Sequence, residues 1–166
     1  MAMYIRDAVE GDLAAIVAIY NTTIESHLVT ADLQPVTVES RLNWFREHHP
    51  DKRPLWVMDV EGTVAGWLGF QSFYYGRAAY ASAAELSIYV SLAYRQQGIG
   101  QALLKRSIAQ SPSFGIKTLL GFIFAHNQPS LYLFERFGFQ RWGYLPGVAE
   151  FNKIPHDLVI VGLQLP

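Results

Sequence analysis

Arg95-Gln96-Gln97-Gly98-Ile99-Gly100 is a turn whose residue types suit an anion. Ahead of it, Leu86, Ile88 and Val90 alternate with Ser87, Tyr89 and Ser91, the period of a pleated strand. Behind it, Ile99, Leu103, Leu104 and Ile108 share one helical face. A strand that feeds a glycine turn at a helix start leaves backbone N–H groups unpaired at the positive end of the helix dipole, a setting for phosphate or pyrophosphate. Glycine lets the anion approach because no Cβ stands in the way. The turn lacks the Gly-Lys-Ser/Thr ending of a P-loop, which argues against a nucleotide triphosphatase. It has only Gly98 and Gly100, so it does not follow the G-x-G-x-x-G order of a dinucleotide fold. The plainer alternative is a glycine turn that merely starts a helix.

Arg95-x-x-Gly98-x-Gly100 resembles the (Arg/Gln)-x-x-Gly-x-(Gly/Ala) signature of the GNAT family of N-acetyltransferases. Further stretches resemble the phosphinothricin and methionine sulfoximine N-acetyltransferase branch of that family. They are Ile19-Tyr20-Asn21, Gly76-Arg77-Ala78-Ala79-Tyr80, Ala84-Glu85 before Ile88-Tyr89-Val90, Asn127-Gln128-Pro129-Ser130, and His156-Asp157 before the last strand. The resemblance implies a mixed, mostly antiparallel sheet with flanking helices, and a splayed strand pair that holds acetyl-CoA. It implies acetyl-CoA contacts at Ile88, Tyr89, Val90, Arg95, Gln96, Gln97, Gly98, Ile99, Gly100, Gln101, Asn127 and Ser130. It also implies a small amino-acid-like amine as acceptor and a homodimer.

Acetyl transfer to an amine needs a free lone pair, so a base near the acceptor helps. On residue type alone, Glu85 is better read as an ion-pair partner or a solvent-facing strand end. The resemblance makes it the base, where partial burial would raise its pKa. A backbone N–H at the matching position, Val90, is expected to stabilise charge on the carbonyl oxygen, from a splayed or bulged strand. Asn127 matches the family asparagine that bonds the pantetheine arm, and it also suits a helix cap before Pro129. Many family members carry a tyrosine acid, and some a catalytic histidine, where this chain has Phe134, which cannot donate a proton. Tyr132, two residues away on a helix, points to another face and reads as packing. The resemblance assigns the acceptor loop to Arg77 and Tyr80, and a guanidinium suits an α-carboxylate. Phe73, Tyr75 and Trp67 are candidate pocket walls, though aromatics on strands are usually core. His156 is a candidate second relay, though a lone histidine is more often structural. His48-His49 lacks partner ligands, so no metal site is read.

These residues need a scaffold. The 166 residues are 51% hydrophobic and carry net charge −1, which excludes disorder and gives no electrostatic case for nucleic acid or an anionic membrane. The absence of cysteine excludes disulfides, thiolate metal sites and a cysteine nucleophile. No signal-peptide run or membrane-length apolar stretch is seen, so a cytoplasmic protein forming one domain over 1–166 is expected. Met3 to Val9 reads as a strand, Asp12 as the cap of a helix through Tyr20, and Thr37 as the cap of a second helix through Glu47. Leu55 to Val60 and Thr63 to Phe73 form a hairpin about Glu61-Gly62. Residues 74–80 are a loop, followed by the central strand, the glycine turn and a helix ending near Ser111-Pro112-Ser113. Lys117 to Phe124 is a strand, Asn127 opens a short helix, and Gly138 to Trp142 and Asp157 to Leu165 are the final strands. That order is α+β, and the Glu61-Gly62 hairpin argues against a doubly wound sheet.

Overall fold

The computed structural model describes residues 2–166. The chain runs β1 (Met3–Asp7), α1 (Leu13–Asn21), α2 (Leu42–Arg46), β2 (Leu55–Val60), β3 (Thr63–Ser72), β4 (Ala83–Val90), α3 (Ile99–Gln110), β5 (Thr118–Phe124), α4 (Gln128–Arg136), β6 (Gln140–Phe151) and β7 (Ile154–Gln164). The strands form one sheet in the order β1-β2-β3-β4-β5-β7-β6. Every neighbouring pair is antiparallel except β4–β5, so the mixed, mostly antiparallel α+β expectation holds.

The β2–β3 hairpin closes as its sequence requires. Glu61 and Gly62 both take positive φ, 51° and 86°, and the buried Asp59 carboxylate accepts the Gly62 N–H at 2.7 Å. Asp59 also accepts Arg6 Nε at 3.1 Å, and Arg6 grips both oxygens of Asp12 at 2.7 and 3.0 Å. Asp12 therefore does not cap α1 in the expected way. Its carboxylate is taken by Arg6 and the Val9 N–H, which hold it below the usual carboxylate range and fasten β1 to the start of α1.

Helices cover both faces. On one, α3 (Ile99, Leu103, Leu104) and α4 (Leu131, Phe134) bury Leu68, Phe70, Leu86, Leu119, Ile123 and Val161. On the other, α1 (Ile16, Ile19) packs on Leu55, Val57 and Trp67. Each fully buried aliphatic side chain contributes about 1.5–3 kcal/mol, so these two layers carry the fold.

Several boundaries differ from the sequence reading: β1 stops at Asp7, α2 begins only at Leu42, and β7 starts at Ile154 rather than Asp157. The central strand begins at Ala83, which places Glu85 within it rather than at its start. The Gly138 to Trp142 strand is instead the twelve-residue β6, paired with β7 from Gln140 to Phe151. From Arg141 onward it is an exposed edge whose register shifts twice, at Trp142 and again between Leu145 and Ala149 around Pro146, so no buried face imposes an alternating pattern.

Candidate active site

The sheet opens at its centre. β4 and β5 share three residue pairs, Ala83↔Thr118, Ala84↔Leu119 and Glu85↔Leu120. Past Glu85 the strands part: β4 stays on β3 as far as Val90, and β5 stays on β7 as far as Phe124. The far edge of Leu86–Val90 thus has no strand partner, and alternate backbone groups face the opening. No bulge produces this. The β3–β4 register is unbroken from Ala84 to Val90, so of the two expected forms the splay is the one present.

The glycine turn sits at the mouth of this opening. Gln96 and Gly98 have φ of 60° and 78°, and Gly98 is the N-cap of α3 with no side-chain cap. The first helical donor with a partner is Ala102, to the Gly98 carbonyl at 3.0 Å. Among the described residues, no backbone or side-chain acceptor takes the N–H groups of Gln96, Gln97, Gly98, Ile99, Gly100 or Gln101. Consecutive free donors around a residue without a Cβ fit a pyrophosphate, with Arg95, Gln96, Gln97 and Gln101 exposed around them. Ile99 is buried beneath the turn. Asn127, 4% exposed, caps α4 by accepting the Ser130 N–H at 3.3 Å, which leaves its Nδ2 without a protein acceptor.

On the face covered by α1 and α2, Glu85, Ser87 and Tyr89 project from β4. Glu85 is half-buried and has no ion-pair or hydrogen-bond partner among the described residues; burial alone pushes its carboxyl above the usual glutamate range. Gln71 lies opposite it on β3. From there a cleft of about 170 Å³ runs between the sheet and the two helices, lined by Gln71, Ser87, Gly69, Trp67, Tyr89, Ile16, Trp44, Tyr20 and Arg41. Tyr89 stacks on Trp67 at 4.6 Å between ring centres and, being buried, titrates well above the usual tyrosine range. Tyr20 bonds Thr30 Oγ1 at 2.5 Å and donates to Asp32, and burial together with that carboxylate raises its pKa. Tyr20, Arg41, Trp44, Gln71 and Ser87 were not legible as site residues, because no short motif links positions that only the fold brings together.

The remaining assigned residues separate. Phe73 stacks on Phe122 and meets Tyr80 edge-on at 5.4 Å, an aromatic patch past the end of β3. Arg77 is exposed, near the Tyr74 ring at 6.0 Å. Tyr75 is 96% exposed and does not line this cleft. Arg53 donates to the Ala81 carbonyl at 2.8 Å and pins the far end of this loop. His156 lies 4.7 Å from His126, whose Nε2 is 2.7 Å from the His27 carbonyl, so three distant segments meet beside β5. Phe134 is packed into the core against Phe139, whereas Tyr132 is 65% exposed under Arg136, so Tyr132 is not core packing. Among the described residues no group of three or more acidic or histidine side chains could hold a metal ion, and no helix is long and apolar enough to cross a membrane.

Comparison with known proteins agrees with this geometry. The family model described as "Acetyltransferase (GNAT) family" matches residues 16–139. YwnH of Bacillus subtilis, named as a candidate phosphinothricin acetyltransferase, is 49% identical, covering 98% of this chain and 99% of its own. An L-methionine sulfoximine/L-methionine sulfone acetyltransferase of Pseudomonas aeruginosa is 30% identical, covering 99% of this chain and 96% of its own. The crystal structure of a GNAT-superfamily phosphinothricin acetyltransferase from Sinorhizobium meliloti, in complex with acetyl-CoA, superposes with a TM-score of 0.92 at 26% identity, covering 99% of this chain and 89% of that one.

Proposed function

Because the chain belongs to the GNAT acetyltransferase family, we propose that it moves the acetyl group of acetyl-CoA directly to the α-amine of a small amino-acid-like acceptor such as phosphinothricin, methionine sulfoximine or methionine sulfone. Acetyl-CoA supplies an activated acyl group whose thiolate leaves readily, a free thiol having a pKa of about 8.5. The free N–H groups from Gln96 to Gln101 bind the pyrophosphate, and Asn127 Nδ2 holds the pantetheine arm with Ser130 beside it. Unpaired N–H groups on the β4 edge, with Ile88 and Val90 on one face and Tyr89 on the other, donate to the carbonyl oxygen.

Glu85 takes the proton from the acceptor's ammonium, directly or through one water. A base that must accept a proton near neutral pH gains from the raised pKa that burial gives it. Phe134 can donate nothing, so the thiolate leaves without a side-chain acid from that position. Arg77 holds the acceptor's α-carboxylate from its pinned loop, and Phe73 and Tyr80 form the wall beside it. The exposed apolar side chains Trp142, Tyr144, Leu145, Val148 and Ile154 of the β6–β7 hairpin support a homodimer, and sedimentation checks it. The protein acts as one domain in the cytoplasm, where it meets its acyl donor.

The observation that carries this proposal is Glu85, desolvated and without a counter-charge where the β4–β5 pairing stops. The test is CoA release with amino-acid analogues, polyamines, an aminoglycoside and short peptides. Turnover on the amino-acid analogues supports the reading. Turnover confined to polyamines, the aminoglycoside or peptides keeps the acetyltransferase and discards the acceptor. Tight acetyl-CoA binding with no release points to a non-catalytic acyl-CoA-binding module.

A further inference from the structure

We infer that Arg41 is a specificity-determining residue that receives an oxygen-bearing group at the end of the acceptor's side chain, with Asp32 as the counter-charge it partly exchanges. The inference rests on the proposed amino-acid acceptor and says where its side chain lies. The cleft begins beside the catalytic carboxylate, since Gln71 pairs with Glu85 across the ladder and Ser87 follows Glu85 on the same face of β4. Its middle is apolar, between Ile16, Trp44 and Trp67. Its one charged lining residue is Arg41. A cleft of about 170 Å³ is smaller than the roughly 300–1,000 Å³ pockets that enclose drug-sized ligands, which suits a side chain rather than a whole peptide.

Arg41 is poised rather than fully committed. Its Nη2 donates to Asp32 at 3.1 Å, and its guanidinium lies over Tyr20 at 5.0 Å and by Trp44 at 5.8 Å. Its Nη1 and Nε meet no protein acceptor among the described residues, while Asp32 also receives the Tyr20 hydroxyl. A half-buried guanidinium with donors to spare favours a sulfone, phosphinate or carboxylate oxygen over a methyl group. Leaving such an oxygen unpaired among the aromatic walls would cost its desolvation, so Arg41 discriminates by that difference. Arg77 and Arg41 thus hold opposite ends of one acceptor.

The test uses the full chain saturated with CoA for binding, and with acetyl-CoA for turnover. Methionine sulfone, phosphinothricin and the apolar analogue norleucine are compared. The parent protein is expected to prefer the two oxygen-bearing acceptors by tenfold or more. Arg41→Gln is expected to bring that ratio close to one, with the loss falling mainly on the two oxygen-bearing acceptors. Asp32→Asn keeps an oxygen for Tyr20 but removes the counter-charge, and is expected to tighten phosphinothricin severalfold with little effect on norleucine. An equal loss for all three acceptors in Arg41→Gln, or no change in the ratio, overturns the inference. Binding with the expected preference but without turnover defeats the proposed reaction and leaves the anchor standing. Turnover without the preference does the reverse, and neither binding nor turnover defeats both.

Discussion

The two sides of the β4 opening are built by different means. On the cofactor side the pyrophosphate site is a single run of backbone, residues 95–101, whose donors are fixed by a left-handed Gly98 and by the start of α3. The acceptor side is a set of side chains drawn from α1, the segment after it, α2, β3, β4 and the loop past β3. A main-chain anion site depends on conformation and tolerates many side chains. A side-chain cleft depends on identities at positions far apart in sequence. Changes on the first side should therefore alter one substrate uniformly, and changes on the second should alter the ranking of acceptors.

The largest effect is expected at the point the two sides share. Glu85→Gln should lower kcat by about 10²- to 10³-fold with acetyl-CoA binding unchanged, read as CoA release; a loss below tenfold would mean that Glu85 is not the base. The parent's rate should rise with pH along a limb whose midpoint lies above the ordinary glutamate value of 4.5, and that limb should vanish in Glu85→Gln. The same shift acts on stability. Because folding raises this pKa, the favourable contribution of the protonated carboxyl is complete below the unfolded value and is lost as pH rises through the folded one. At neutral pH Glu85→Gln should melt no lower than the parent.

On the cofactor side, Gly98→Val forces a β-branched residue to a φ of 78°, a strain of about 1–2 kcal/mol. The acetyl-CoA KM should rise by about tenfold, with the acceptor ranking unchanged. A changed ranking would break the division drawn above. On the acceptor side, Gly69→Ala places a methyl 3.4–3.5 Å from His48, Leu55 and Trp67, ordinary contact that narrows the cleft. Longer acceptors should lose kcat/KM severalfold relative to glycine. Smallest of all, Tyr75→Ala should change stability and rates by less than about 0.5 kcal/mol, since the ring is 96% exposed.

The same contrast explains what was legible. The Glu61-Gly62 hairpin, the strand before the glycine turn and the Asn127 cap are local, and each follows from residues within a few positions of one another. The splay at Glu85 is not local. Leu86, Ile88 and Val90 alternate as in any strand, and nothing in them states that β5 turns away. Arg41 and Trp44 read as an ordinary helix segment until β3 and β4 are set beneath them. Tyr75, read from its residue type as a pocket wall, sits in a kinked turn with Tyr74 and Tyr75 at φ of 49° and 62°, which throws the ring outward.

The three-pair join between β4 and β5 also divides the chain along its length. Strands β1 to β4 come from residues before 91, and strands β5 to β7 from residues after 117. The connection between them passes through Gly115, an exposed residue at φ of 74°. Yet one apolar core spans both parts, from Trp56 and Leu68 to Val159 and Val161. A break at Gly115 would yield two pieces that cannot each bury their own core and that meet along few strand bonds. Such pieces should be inactive apart and regain activity when mixed, more completely with CoA present, which makes the protein a natural candidate for a two-part reporter.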